Sequence, residues 1–356
     1  MTKLKFAIAS DLHITLLETI YDHPKRFHLV EYSIPVFEVV LQEIGKAGID
    51  FLLLPGDLTQ HGELENHQWL VSRLRELPYP VFVIPGNHDI VVPRHSQLFP
   101  ELYRQFGYQQ TDELYYVQEL LPTVRLIGLN SNIFDGDTNQ LGRMDIAQII
   151  WLENILQAKS YPVNLLMIHH NIINHVPDQG NNPLGRRYLL ENAETLCEIL
   201  HKYQVHFVFT GHLHVQDIAY DDRYQVYDIT TGSLVSYPHP YRIVEIIDEG
   251  ENQILNITSY RVKAIPEQAD LLYFSREWMG DRSAPFVKKF LINPPLCLPS
   301  DEADKYLDDL RYFWSKIADG DAVFEFPHFP EPLRSFLEGF SDRPPQDNNV
   351  VLTVRK

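Results

Sequence analysis

Five short stretches of this 356-residue chain concentrate carboxylates, imidazoles and an amide: Asp11-Leu12-His13, Gly56-Asp57, Gly86-Asn87-His88-Asp89, His169-His170-Asn171 and Gly211-His212-Leu213-His214. Carboxylate and imidazole together suit Mn, Fe or Zn, whereas an all-oxygen set suits Mg or Ca. One aspartate can bridge two cations through its two oxygens. Two ions about 3.5–4 Å apart can clamp the attacking and leaving oxygens of an in-line phosphoryl displacement. Glycines at 56, 86 and 211 allow tight turns that aim the following side chain into a site. Taken singly, each stretch also has a plain reading. Gly-Asp is common as a turn, Asn-His-Asp can cap a loop, and a His-His pair can be one packed and one solvated ring. Together and in this order they predict one dinuclear centre.

The elements that must position them follow from the apolar pattern. Strands are expected at Phe6–Ala9, Phe51–Leu54, Val81–Ile84, Val163–Ile168 and Val205–Phe209, each ending at one of the five stretches. A further strand is expected at Val124–Leu129. Helices are expected from Ser33, as N-cap, to Lys46 with Gly48 as stop, around Trp69–Leu77, and over Met144–Lys159 and Arg187–Tyr203. Trp69, Phe106 and Trp151 fall at helical spacing and read as core. The alternation predicts an α/β fold with a largely parallel sheet, in which ligands bind beyond the carboxyl ends of the strands. After Gly211, Val215–Ala219, Tyr224–Ile229 and Tyr241–Ile247 read as an antiparallel meander, a second sheet packed on the first.

From about Ala264 the pattern is helical, with Gln268–Gly280, Arg282–Leu291, Asp301–Ile317 and Glu331–Phe340 separated by proline-rich breaks. The expected division is a domain over residues 1–263 and a mainly helical region over 264–356. The latter offers a packing surface for the domain or a homodimer contact.

The chain is 44% apolar and 22% charged, ordinary for a globular protein, with formal charge −18. That charge disfavours extended nucleic acid and leaves a small phosphoester as the better partner. Cys197 lies in a helical pattern as a buried thiol, and two cysteines imply no disulfide framework. No apolar run is long enough to span a membrane. Asp11 and His13 cut short the first apolar run, so a cytoplasmic location is expected.

The ordered series Asp11-x-His13, Gly56-Asp57, Gly86-Asn87-His88-Asp89, His169 and Gly211-His212-x-His214 resembles the calcineurin-like metallophosphoesterase superfamily over roughly residues 4–250. Within it, the His169-His170 pair and Thr231-Gly232-Ser233-Leu234 resemble the class III cyclic-nucleotide (cAMP) phosphodiesterases. Asn171 stands where many of those proteins carry proline. The resemblance implies a four-layer α/β/β/α sandwich of two sheets flanked by helices. It implies two divalent or trivalent metal ions (Mn, Fe or Zn), one held by Asp11, His13 and His214, the other by Asn87, His169 and His212, with Asp57 bridging. It further implies a metal-bridging hydroxide as nucleophile and His88 as proton donor to the leaving group. Asp89 would orient His88 and raise its pKa. His170 and Asn171 are candidate substrate contacts, with simple packing an equal reading for His170. Arg186-Arg187, in the loop between a ligand strand and the next helix, could meet the substrate, but a solvated helix start is the favoured reading. The implied activity is hydrolysis of a small phosphodiester such as 3′,5′-cyclic AMP. The same centre could serve phosphomonoesters or glycerophosphodiesters. A catalytically silent scaffold would have lost ligands, and here the set is complete.

Overall fold

The apolar runs become strands whose two faces serve two different cores. The computed structural model describes residues 2–20, 26–136, 139–342 and 346–355. In chain order its strands are β1 (Thr2–Ile8), β2 (Phe51–Leu54), β3 (Val81–Val83), β4 (Tyr116–Leu121), β5 (Val124–Gly128), β6 (Asn132–Asp135) and β7 (Asn139–Gly142). They continue as β8 (Val163–Met167), β9 (Phe207–Thr210), β10 (Asp217–Asp221), β11 (Val226–Thr230), β12 (Pro240–Asp248), β13 (Asn252–Arg261) and β14 (Asn349–Arg355). One sheet runs β14-β13-β12-β1-β2-β3, the other β10-β11-β9-β8-β5-β4, and β6 pairs with β7 alone.

Alternation along the second sheet shows the layering. Leu126, Leu165, Met167, Phe207 and Phe209 join the core shared with the first sheet. Their neighbours Ile127, Leu166 and Val208 face the other way, onto Leu152, Leu156, Leu196 and Leu200 of the helices Ile146–Ala158 and Ala193–Lys202. On the first sheet, Val36, Phe37, Val40 and Ile44 of Ser33–Ala47 and Leu70 and Leu74 of Leu64–Arg75 supply the outer layer. The result is helix, sheet, sheet, helix. Phe6 and Phe209 meet edge-on across the middle at 5.5 Å. Trp69, Phe106 and Trp151 all pack against these cores.

Three features differ from the sequence reading. The parallel strands form the centres of two mixed sheets, because β1–β2–β3 and β5–β8–β9–β11 are parallel while the outer pairs are antiparallel. Only β10 and β11 form the expected meander hairpin. β12 crosses to the first sheet and pairs with β1 along its length, from Thr2 opposite Asp248 to Ile8 opposite Arg242. That pairing covers the edge of β1 that β2 leaves open. Ser33 is a helical residue whose hydroxyl accepts the Thr15 N–H at 3.1 Å, while Gly48 stops the helix at φ 65° as expected.

Arg242 of β12 joins the two sheets. It is fully buried, and its guanidinium donates to the carbonyls of Asp217 in β10 and Thr230 in β11. The region after residue 264 is helical, with Leu271–Ile292 running unbroken through Pro285 where two helices are expected. Its Phe313, Phe324, Phe329 and Phe340 build a third core that includes Leu213 and Val215. The chain then returns and adds β14 to β13. Among the described residues no helix is long and apolar enough to cross a membrane.

Phe209→Ala removes a fully buried ring from the contact between the sheets and should cost about 3–5 kcal/mol in urea unfolding. A loss below about 1 kcal/mol would contradict face-to-face packing at that point.

Candidate metal centre

Strands from both sheets end at the same edge, and their following loops are tied to one another. Asp11 N–H donates to Gly56 O (3.2 Å), His13 N–H to Asp57 O (2.9 Å) and Gly211 N–H to His169 O (3.1 Å). The Thr231–Leu234 stretch braces the first loop, with Ser233 Oγ donating to Asp11 O at 3.1 Å. Five non-glycine residues of the centre sit in the left-handed region: Asp11 (φ 52°), His13 (42°), Asp57 (49°), His212 (67°) and His214 (60°). Such residues cost about 1–3 kcal/mol each and cluster where function demands a particular side-chain direction. Gly86 is required by closeness, since a Cβ there would lie 2.1 Å from Asp57 Oδ1.

The donors fall into two groups that share one carboxylate. Asp11, His13, Asp57 and His214 offer ligand atoms within 4.8 Å of one another, and so do Asp57, His169 and His212. His214 Nε2 lies 3.0 Å from Asp11 Oδ1. From Asp57 Oδ2, His169 Nε2 is 3.4 Å away and His13 Nε2 3.8 Å. Asn87 Oδ1 lies 3.2 Å from His169 Nε2, which places it in the second group. His13 has no exposed surface, and neither ring nitrogen has a hydrogen-bond partner among the described residues. An unpaired buried imidazole is costly unless it coordinates something. Pro55 O can only accept, so His169 Nδ1 carries the proton at 2.8 Å and Nε2 is left as a donor atom for a cation.

Electrostatics favour a neutral imidazole at His13 and His212 and a charged one at His169 in the metal-free protein. Burial, with the neighbouring histidines, holds His13 and His212 well below the ordinary imidazole value. Burial also opposes charge on His169, but the Asp57 carboxylate outweighs it and pushes His169 up to about 9.

The remaining expected site residues separate. His88 lines the cavity, its backbone N–H donates to Asp57 Oδ1 (2.8 Å), and its Nδ1 lies 2.6 Å from Gln60 O. Asp89 does not hold His88. Its carboxylate accepts from the backbone N–H groups of Gly86 (2.9 Å), Leu58 (3.0 Å) and Thr59 (2.9 Å), bracing the loop that carries Asp57. Burial and then Asp57 push Asp89 up to about 7. The role of orienting His88 therefore falls to the Gln60 carbonyl. His170 lines the cavity with Nδ1 2.7 Å from Ser131 Oγ and its ring 4.2 Å from that of His212. Burial pushes it down to about 3. Asn171 is fully buried, bonds Thr210 Oγ1 at 2.8 Å and lies outside the cavity lining, so the expected substrate contact is not formed.

One residue enters the site without having been singled out for it, and another enters against the favoured reading. His28 Nε2 lies 3.2 Å from His214 Nδ1, and its ring is 4.3 Å from that of His13. No spacing marks it, because its place depends on the loop before Ser33. Arg187, which reads as a solvated helix start, lines the cavity, and its carbonyl lies 3.3 Å from His212 Nε2. The cavity measures about 440 Å³. Opposite its polar floor, Phe27 and the C-terminal Met279, Phe286 and Trp314 form an apolar wall.

Known proteins resemble this chain in sequence and in fold. The sequence model of the family described as calcineurin-like phosphoesterase matches residues 4–216. A probable glycerophosphodiester phosphodiesterase from Arcobacter nitrofigilis is 31% identical over 170 residues, 46% of this chain and 56% of the relative. A 3′,5′-cyclic-nucleotide phosphodiesterase from Nostoc sp. is 26% identical over 214 residues, 60% of this chain and 73% of that protein. The chain thus spans little more than half the length of the first of these relatives. A dimetal phosphatase from Danio rerio shares the fold, with a TM-score of 0.54, 14% identity and coverage of 71% of this chain and 95% of its own.

Asp89→Asn would set an amide NH₂ against backbone N–H donors. It should cost about 1–3 kcal/mol in stability and lower metal occupancy. A variant with full stability and metal content but slowed turnover would contradict the bracing role. The pH dependence is also specified. His169 in the folded, metal-free protein titrates near 9, above the ordinary 6.5, so its pairing with Asp57 stabilises fully below 6.5 and is lost as pH rises through 9. Metal loading at pH 7.5 should therefore release about one proton from His169, read by calorimetry in buffers of different ionisation enthalpy. Heats independent of buffer would refute it.

Proposed function

Because the chain belongs to the calcineurin-like phosphoesterase family, we propose that it is a dinuclear metal-dependent phosphodiesterase of small diesters, with 3′,5′-cyclic AMP the first substrate to try. The observation that carries this reading is the Asp57 carboxylate common to two donor groups. Asp11, His13, Asp57 and His214 would hold one ion and Asp57, Asn87, His169 and His212 the other. The mixture of imidazole, carboxylate and amide fits Mn, Fe or Zn, and the orphaned ring nitrogens of His13 fit a ligand. Such ions, when bound, lower the pKa of water and offset charge on phosphoryl oxygens.

The chain's own groups supply the rest. The Gln60 carbonyl can only accept, so Nδ1 of His88 carries a proton and Nε2 is the nitrogen left for the substrate. As an imidazolium, His88 would protonate the departing alkoxide through Nε2. His170, with its ring 4.2 Å from that of His212, would pack beside that ligand. The wall of Phe27, Met279, Phe286 and Trp314 suits a diester with an aromatic or apolar substituent, and Arg187 adds a local cation on a chain of charge −18. The glycerophosphodiester relative favours a second reading, a glycerol-based diester on the same centre.

Protein reconstituted with Mn should hydrolyse cyclic AMP and bis-p-nitrophenyl phosphate faster than p-nitrophenyl phosphate. Failure on every diester, with metal bound, would overturn the proposal, and a preference for glycerophosphodiesters would select the second reading. His88→Ala should keep its metals yet slow hydrolysis of a poor leaving group about 10²–10⁴-fold. An unchanged rate would remove His88 from proton transfer.

A further inference from the structure

A second cavity gathers carboxylates for which the proposed reaction has no use. It measures about 500 Å³ and opens where the C-terminal region meets β10. Asp217 begins β10, while Asp342 and Asp347 belong to the segment leading to β14; one oxygen of each lies within 4.8 Å of the other two. Asp347 is only 5% exposed. Its Oδ2 accepts the Ile218 N–H at 2.9 Å, but its Oδ1 has no hydrogen-bond partner among the described residues, and neither has Asp342 Oδ2.

Among the described residues, the nearby cations are shared with other partners. His175 faces Asp217 Oδ2 with Nδ1 at 2.6 Å and Asp228 Oδ2 with Nε2 at 3.3 Å, so its charge is divided between two carboxylates. Arg242 is buried nearby and its charge favours ionised Asp347, yet among the described residues its hydrogen bonds go to Ser259 Oγ and to the carbonyls of Asp217 and Thr230. Asp178 and Asp321 line the same cavity and add negative charge. Asp321 Oδ1 is taken by the N–H groups of Asp347 and Asn348. Burial and then Asp217 push Asp347 up to about 8 against the pull of Arg242, and burial with Asp217 and Asp321 pushes Asp342 up to about 6, the response of crowded carboxylates.

We propose that Asp217, Asp342 and Asp347 hold a single hard divalent cation, Ca²⁺ in preference to Mg²⁺, apart from the dinuclear centre. The proposed ligands are carboxylate oxygens alone, which suits a hard cation. Ca²⁺ tolerates irregular geometry and completes its shell with carbonyls and water, whereas Mg²⁺ demands a near-ideal octahedron. The imidazole-rich centre selects Mn, Fe or Zn instead, so donor chemistry sorts the metals between the two sites. The cation would tie Asp342 and Asp347 to the start of β10. Gln216, immediately before β10, already donates its N–H to Ala318 O at 3.2 Å.

The test uses the full chain, stripped with chelator and reloaded with Mn²⁺, then titrated separately with Ca²⁺ and Mg²⁺. Calorimetry should find a single equivalent of Ca²⁺ bound more tightly than Mg²⁺, and the unfolding temperature should rise with Ca²⁺ concentration. Tb³⁺ should give luminescence sensitised by Tyr220, which lines the cavity, and Ca²⁺ should displace it. Asp342→Asn and Asp347→Asn should each weaken Ca²⁺ at least about tenfold while Mn content and turnover stay unchanged. Asp342 is the less buried of the two, so Asp342→Asn carries the test if Asp347→Asn fails to fold. Wild-type protein showing neither heat nor a thermal shift at millimolar Ca²⁺ would overturn the proposal. So would a folded variant that binds Ca²⁺ as wild type does, and tighter Mg²⁺ than Ca²⁺ would overturn the stated preference.

Discussion

The carboxylate of Asp57 is the point on which this structure turns. It is 1% exposed, and three imidazoles, those of His13, His88 and His169, act on it. Burial alone would drive such a group to its neutral form, but the surrounding histidines hold it well below the usual carboxylate range. One oxygen takes the His88 N–H, and the other faces His13 and His169. An anion kept charged in that position makes sense as the shared ligand of two cations. The left-handed backbone at Asp11, His13, Asp57, His212 and His214 accompanies this, with the other four side chains gathered around the carboxylate of Asp57.

The sandwich supplies the rigidity this demands. Asp57 follows β2 of one sheet and His169 follows β8 of the other, so the centre exists only while the two sheets hold their relative position. Phe6 against Phe209 and the buried Arg242, reaching from β12 to β10 and β11, hold that position from inside. The C-terminal region acts from outside. Its aromatic core takes in Leu213 and Val215, on either side of His214, and its Met279, Phe286 and Trp314 complete the cavity wall. The same helices therefore touch both ligand placement and substrate space.

The convergence of the candidate donors was legible because each follows a short apolar strand, and a sheet delivers such positions to one edge whatever the loops do. The first helix was legible from its periodicity, down to Gly48 as the stop. The C-terminal helices were divided differently: Leu271–Ile292 is continuous, and the expected Asp301–Ile317 is broken into Ser300–Ala303, Asp304–Tyr306 and Phe313–Asp319. What escaped depends on partners distant in sequence. The crossing of β12 to the first sheet is decided by the open edge of β1, about 240 positions away in the register Thr2 to Asp248, which local pattern does not encode. Asp89 lies next to His88 in sequence, yet its oxygens meet three backbone N–H groups, because successive residues of a loop point different ways. His28 and the apolar wall arrive through packing of segments that carry no motif. Asn171 is drawn into a bond with Thr210 and away from the cavity.

The most direct test of the shared carboxylate is spin coupling in protein reconstituted with two equivalents of Mn²⁺. Electron paramagnetic resonance should show an exchange-coupled pair, with X-ray absorption giving a metal–metal separation of about 3.5–4 Å, and the coupling should vanish in Asp57→Ala. Magnetically isolated ions in the wild-type protein, or coupling that survives the loss of Asp57, would contradict the account.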